Sequence, residues 1–306
     1  MAHADLAVWT THMVMTQLAF TSFQKGVERI AGRALGIVVA LVLLMVFRNA
    51  MHLGFAFECL ALLVFFYVYF SNRLAYTFLN AGLYLAVIMQ IGRADPYAAA
   101  PEGGRMFLAI IVGVVVADLV CWFSGAERDL TIQTSGAPFF PLDRGRLGQC
   151  VMLVVTVAIS QLFVEYFALP ASATLVSVMV LTVVPDLHQM LRKGGLRVLG
   201  VLLAMAYAFC SFVLLVRLQH FPLLVVLLFV GSYLATYLAE AGGDWAYMGV
   251  QMGLVLPMIL VVPSHEFGTM TAALARLEGV VIAMACALLV GMVVAAFSRA
   301  APAEPT

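Results

Sequence analysis

Two carboxylates stand inside long apolar runs of this sequence. Glu58 lies in a run at 53–71, and Asp118 lies in another at 105–124. Both runs are long enough to cross a membrane, where charged side chains are rare and usually functional. These acids can either take up and release a proton within the membrane or form structural ion pairs, and the sequence leaves both alternatives open.

Four arginines occupy matched positions in the two halves of the chain. Arg29 corresponds to Arg197 at an offset of 168 residues, and Arg105 corresponds to Arg276 at an offset of 171. The planar guanidinium group suits an organic anion, because it binds a carboxylate through two parallel hydrogen bonds. The alternative is that Arg29 and Arg197 anchor the chain at lipid headgroups and that Arg105 and Arg276 are interfacial.

Amides and hydroxyls at equivalent positions extend this candidate site. Asn80 corresponds to Gln251 at the offset of 171, and two polar spans contribute Gln17 and Thr182. Transporter sites favour short or polar helices at equivalent places in two halves, although the same groups also serve as interhelical hydrogen-bonding residues. The predicted substrate-binding residues are Arg29, Arg197, Arg105, Arg276, Asn80, Gln251, Gln17 and Thr182.

An internal repeat organises these positions. The segment Lys25–Gly32 has the pattern Lys-Gly-x-x-Arg-x-x-Gly, and the pattern returns at Lys193–Gly200. A fixed internal period should be interpreted before any fold is assigned. Both copies run directly into long apolar segments, so the sequence predicts two parallel repeats.

Composition places the chain in a membrane. Of its 306 residues 64% are hydrophobic and 10% are charged, whereas a soluble domain has about 25% charged residues. Continuous apolar runs of this length favour helices over the strands of a barrel. We predict an all-α polytopic membrane protein with about eleven transmembrane helices, near 5–23, 33–48, 53–71, 74–91, 105–124, 149–168, 171–185, 198–216, 221–239, 245–263 and 274–298.

Other function classes have little support in the sequence. A net charge of zero and the lack of a reader motif argue against nucleic-acid binding. No nucleophile–His–acid arrangement and no metal-ligand spacing occurs, so we expect no catalytic residues, no metal and no cofactor. The five cysteines are scattered singly through apolar runs, which is typical of packing residues.

The distribution of Lys and Arg predicts the orientation. With the first Lys-Gly motif on the cytoplasmic side, that side holds eleven of these residues and the other side holds five. The positive-inside rule then predicts a periplasmic N-terminus and a cytoplasmic C-terminus.

Four segments follow from the same pattern. Residues 1–124 form a first membrane repeat of about five helices, and 125–148 form a polar cytoplasmic linker. Residues 149–299 form a second repeat of six helices, and 300–306 form a disordered tail. The span at 149–168 has no partner in the first half, which is therefore shorter by one helix.

The repeated motifs resemble those of the fusaric acid resistance and aromatic acid exporter (FUSC) superfamily. The resemblance covers nearly the whole chain. Two departures stand out, because larger members carry a cytoplasmic domain that this chain replaces with a linker, and because the first half lacks one helix. The residues that carry the resemblance are Arg29, Gly32, Gly36, Arg197, Gly200, Arg105 and Arg276.

The resemblance implies export of small, often aromatic, organic acids across a bacterial inner membrane. It also implies a periplasmic adaptor of the membrane-fusion type and an outer-membrane channel as partners. The chain has no phosphate-binding glycine loop, so a proton gradient is the simplest energy source, with Glu58 and Asp118 as the coupling groups.

The sequence leaves open two alternative functions and one further partner, a second copy of the chain. A plant branch of the superfamily consists of malate channels, so a passive organic-anion channel is the first alternative. A non-transporting membrane scaffold is the second. A homo-oligomer also remains open.

Overall fold

Every regular element that the structure describes is an α-helix. The computed structural model describes residues 19–71, 74–123, 144–167, 175, 177–178, 187–218, 220–261 and 271–300. Within these residues there are nine helices: α1 (Ala19–Val46), α2 (Met51–Phe70), α3 (Ala75–Ala94), α4 (Ala99–Phe123), α5 (Arg144–Phe167), α6 (Leu187–Leu218), α7 (Phe221–Glu240), α8 (Gly243–Leu260) and α9 (Thr271–Ala300).

Eight of the described helices, all except α8, are long and apolar enough to cross a membrane. The nine helices coincide with nine of the predicted spans. The other two predicted spans, 5–23 and 171–185, lie largely outside the described residues. The prediction of an all-α, multi-pass membrane protein is thus confirmed for the described part, whereas the count of about eleven spans stays a prediction.

Helix α1 begins earlier than the sequence suggested. The predicted span started at residue 33, but the helix runs without a break from Ala19 to Val46 and so contains the motif Lys25–Gly32. In the same way α6 contains the second motif, Lys193–Gly200. Both motifs are therefore helical. Their arginines lie where these helices pack against others, and not in a surface loop.

Helices α1–α4, here called the first set, pack in the same pattern as helices α6–α9, the second set. In the first set α1 contacts α2, α3 and α4, and α3 contacts α2 and α4. In the second set α6 contacts α7, α8 and α9, and α8 contacts α7 and α9. Each helix of one set thus has a counterpart with the same neighbours in the other.

Glycines of the motifs bring equivalent helices close together. A Cβ atom on Gly32 of α1 would collide with the carbonyl oxygen of Thr77 on α3. A Cβ atom on Gly200 of α6 would lie 2.6 Å from the Cβ of Gln251 on α8. Only glycine permits these approaches, which place α3 and α8 side chains directly against the motif arginines.

Helix α5 lies between the two sets. It packs against α2 of the first set and against α9 of the second. Its buried residues Leu153 and Val157 share one apolar core with Leu62 of α2 and with Ala283 and Ala287 of α9. A second, separate apolar core lies within the second set and includes Val201, Val255 and Ile259.

Candidate anion site and buried ion network

Two arginines of the second set are buried beside one another. Arg197 of α6 is 2% exposed and Arg276 of α9 is 6% exposed, and the two are close enough for their charges to repel. The Nε atom of Arg197 and the Nε and Nη2 atoms of Arg276 have no hydrogen-bond partner among the described residues. Two neighbouring cations in such surroundings destabilise each other unless an anion lies between or beside them.

A tyrosine and a glutamine of α8 belong to the same cluster. Tyr247 lies close enough to Arg197 to interact with its charge, although its hydroxyl group has no well-aligned hydrogen-bond partner among the described residues. Gln251 follows Tyr247 by four residues, so the two share one helix face. Gln251 is buried, and its Oε1 atom also lacks a hydrogen-bond partner among the described residues.

We call Arg197, Arg276, Tyr247 and Gln251 the second-set arginine cluster. Its chemistry is that of an anion site, because guanidinium groups bind carboxylate oxygens through charge-assisted hydrogen bonds. No described Asp or Glu forms an ion pair with either arginine. A buried cation without a counter-ion costs several kcal/mol, and a bound carboxylate would remove much of that cost.

The first set contains a different arrangement, the first-set arginine cluster of Arg29, Arg33, Tyr76 and Tyr84. Both arginines are buried and lie one turn apart on α1. The Nη1 atom of Arg29 donates a hydrogen bond to the Tyr76 hydroxyl at 3.0 Å. The guanidinium group of Arg33 lies 4.2 Å from the ring centroid of Tyr84, which is the geometry of a cation–π contact.

The burial of Arg29 and Arg197 argues against the headgroup-anchor interpretation of these two residues. A snorkelling side chain places its charge in the headgroup region, whereas both of these guanidinium groups are enclosed by other helices. Burial of both members of the pair is compatible with an anion site.

Arg105 and Asn80, two further predicted substrate-binding residues, have different surroundings. The side chain of Arg105 is 57% exposed and forms an ion pair with Glu102 at 2.9 Å, so its position differs from that of its counterpart Arg276. Asn80 is buried and its Nδ2 atom donates to the backbone carbonyl of Tyr76 at 2.7 Å. The two remaining residues, Gln17 and Thr182, lie outside the described residues.

Glu58, the first predicted coupling acid, is fully buried in an ion network. Arg93 Nη1 donates to Glu58 Oε2 at 2.6 Å, and Gln161 Nε2 donates to Glu58 Oε1 at 2.6 Å. Arg93 Nε also donates to Glu165 Oε1 at 2.9 Å. The structural ion pair, one of the two alternatives for this residue, is therefore formed.

Asp118, the second predicted coupling acid, has no comparable partner. Its Oδ1 atom is buried without a hydrogen-bond partner among the described residues. It lies one turn beyond Val114, whose side chain occupies the space beside Gly26 of α1. No described contact joins Asp118 to Glu58, so the proton path that the sequence suggested between them stays a prediction.

Three polar residues of these sites were not singled out from the sequence. Arg33 follows Arg29 by four residues, and this spacing already places both on one helix face. Gln161 is a polar residue within an apolar span, and Arg93 ends another span. Their partners come from helices far apart in sequence, which no local pattern reveals. Among the described residues, no three His, Cys, Asp or Glu side chains converge as a metal site requires.

The comparisons with known proteins give one match. Residues 1–120 match the family model described as fusaric acid resistance protein-like, which confirms over this region the resemblance noted from the sequence. No curated protein and no solved structure matches the chain. The apolar helices identify the chain as a multi-pass membrane protein, and its residues 1–120 are similar to the fusaric acid resistance protein-like family.

Proposed function

We propose that this protein is a secondary exporter of small organic acids, aromatic acids among them, in a bacterial inner membrane. The observation that carries the proposal is the second-set arginine cluster, in which Arg197 and Arg276 are buried without a carboxylate partner among the described residues. In a membrane a buried cation marks a substrate or ion pathway by default. A substrate carboxylate supplies the missing negative charge.

The surroundings of the cluster suit a substrate with an apolar body. Met248 and Met252 flank the cluster residues of α8, and both are buried. Leu277 follows Arg276 on α9 and packs against the second apolar core. Methionine adapts its shape and makes favourable contacts with aromatic rings, so an aromatic acid fits this site better than a compact polar anion does.

The proposal includes a repeated architecture with a periplasmic N-terminus and a cytoplasmic C-terminus. The matching helix contacts of the first and second sets support the two repeats. The excess of Lys and Arg on one side supports the orientation. The resemblance to the exporter superfamily supports a periplasmic adaptor and an outer-membrane channel as partners.

The exporter proposal also includes coupling of export to a proton gradient. Uphill export needs a group that gains and loses a proton within the membrane, and Asp118 is the better candidate because its Oδ1 atom has no described partner. Glu58 is the weaker candidate, since both of its oxygens already accept hydrogen bonds.

A passive organic-anion channel is the second candidate function. The ion pair between Glu58 and Arg93 favours it, because this pair makes one of the two predicted coupling acids a structural residue. A channel also needs only cations along its path and no titrating group.

Transport by purified protein in proteoliposomes distinguishes these functions. We expect labelled benzoate to accumulate against its gradient under an imposed pH gradient, with neutral benzamide failing to compete. We expect Asp118→Asn to abolish uphill movement while benzoate still binds, and Glu58→Gln to have a milder effect. If both variants still concentrate benzoate, these acids are not the coupling groups.

The behaviour of the unmodified protein separates the remaining alternatives. Dissipation of a benzoate gradient together with an electrical current would favour the channel. Vesicles that neither accumulate nor release benzoate, with protein correctly inserted, would contradict transport and favour the scaffold.

A further inference from the structure

We propose that the groove between α5 and α9 binds a phospholipid whose headgroup carries a primary ammonium, such as phosphatidylethanolamine. The groove has a volume of about 590 Å³ and lies between two helices that are each long and apolar enough to span a membrane. Its lining is apolar apart from one carboxylate, and consists of Phe163, Phe167, Leu274, Leu277, Glu278, Val281, Ile282, Ala285, Cys286 and Leu289.

The length of the groove matches one leaflet of a bilayer. Glu278, Ile282, Ala285 and Leu289 follow one another at helical spacing and so share a face of α9. From Glu278 to Leu289 the helix advances roughly 16 Å, and the hydrocarbon of one leaflet is about 15 Å thick. An acyl chain lying along this face therefore places its headgroup next to Glu278.

The negative charge of Glu278 determines which lipid headgroup the groove binds. Glu278 is exposed at the groove and forms no ion pair among the described residues. A carboxylate within a span is costly without a cationic partner. A primary ammonium donates hydrogen bonds to a carboxylate as a lysine does, whereas choline has no N–H donor and an anionic headgroup is repelled.

A second copy of the chain fits the groove less well. A two-fold interface brings the same patch of both copies together. An interface centred on this groove would therefore place two Glu278 carboxylates opposite each other, and like charges in such surroundings repel.

Native mass spectrometry of the full chain in detergent tests this proposal with three lipids that have the same acyl chains. We expect phosphatidylethanolamine to be retained about tenfold more than phosphatidylcholine or phosphatidylglycerol, since one charge-assisted hydrogen bond accounts for a difference of that order. Glu278→Gln should remove the preference, while Glu240→Gln, at an exposed carboxylate that ends α7, should keep it.

A second variant tests the groove itself without altering charge. Ala285→Trp fills the space along α9 and should reduce retention of all three lipids in a protein that still unfolds cooperatively. Equal retention of the three lipids by the unmodified protein, or an unchanged preference in Glu278→Gln, would overturn the proposal. Crosslinking of two copies through Ala285→Cys, or protection of that cysteine by benzoate, would assign the groove to a second copy or to the substrate instead.

Discussion

The two sets of helices share their packing pattern but differ in how they hold a pair of arginines. In the first set both arginines come from α1, where Arg29 is hydrogen-bonded to Tyr76 and Arg33 lies over the ring of Tyr84. In the second set the position corresponding to Arg33 is Val201, a buried residue of the apolar core. The second cation there is Arg276, which comes from α9 instead.

This difference concerns how tyrosine side chains contact the two pairs of arginines. Tyrosine rings and hydroxyl groups stabilise the first-set arginines within the protein. In the second set the hydroxyl group of the nearby tyrosine, Tyr247, has no hydrogen-bond partner among the described residues, so the two sets differ in their tyrosine contacts. Matched sequence positions, Arg29 and Arg197, thus have different surroundings in the two sets.

The largest expected effect is on anion binding to the second set. Arg197→Gln and Arg276→Gln should each weaken benzoate binding about 10- to 100-fold, because hydrogen bonds to charged groups contribute about 1.5–3 kcal/mol. Titration calorimetry on purified protein measures this effect. Arg217→Gln, at an exposed arginine in the last turn of α6, is the control. Unchanged affinity in both cluster variants would place the anion elsewhere.

The next effect concerns packing at the repeated glycines. Gly32→Ala should lower thermal stability by about 1–3 kcal/mol, because its new Cβ meets a backbone oxygen that cannot move aside. Gly194→Ala should lower stability by less than Gly32→Ala does, since the obstructing atoms belong to the flexible side chain of Met284. Thermal unfolding in detergent compares them, and equal losses would contradict this account of the close helix contacts.

A smaller effect is expected for Arg33 of the first-set arginine cluster. Arg33→Met should lower stability by about 1–2 kcal/mol, the contribution of a desolvated cation–π contact. Benzoate affinity should change by about twofold or less, since the substitution leaves the charge-assisted hydrogen bonds of the second-set cluster in place. A loss of affinity as large as that of Arg276→Gln would show that the two clusters act alike.

The smallest effect is expected at Arg105. This residue corresponds to Arg276, but its side chain is exposed and paired with Glu102 at a spacing of three residues. Exposed ion pairs contribute about 0–1 kcal/mol, so Arg105→Gln should leave stability and benzoate affinity nearly unchanged. If Arg105→Gln and Arg276→Gln weaken binding equally, matched sequence positions are better guides to the site than burial is.

Local sequence patterns predicted the described helices well. Continuous apolar runs indicate spans because only helices satisfy the backbone in lipid, and all nine described helices coincide with such runs. The motif arginines Arg29 and Arg197 were recognised from spacing alone. The burial of these two arginines was not predicted, because the charged segment around Lys25 has the composition of a surface loop. Only the structure shows that this segment packs against α3 and α4.

The site could be predicted only in part, since it depends on contacts between distant helices. The matched offsets suggested that Arg105 and Arg276 behave alike, yet one is exposed and the other is buried. The sequence left open that Glu58 forms a structural ion pair, and Glu58 forms such a pair with Arg93. Its partner Gln161 lies 103 residues away, beyond the reach of any helical or repeat period.

The position of α5 between the two sets has a mechanical consequence. On one face, Gln161 and Glu165 join it to the first set through charged hydrogen bonds. On the other face, Phe163 and Phe167 meet α9 across an apolar groove. Apolar contacts can shear without breaking hydrogen bonds, so spin labels should report fixed distances from α5 to α2 and variable distances from α5 to α9 during turnover. We expect α5 to move as a rigid part of the first set, with its contact with α9 as the surface along which the two sets slide.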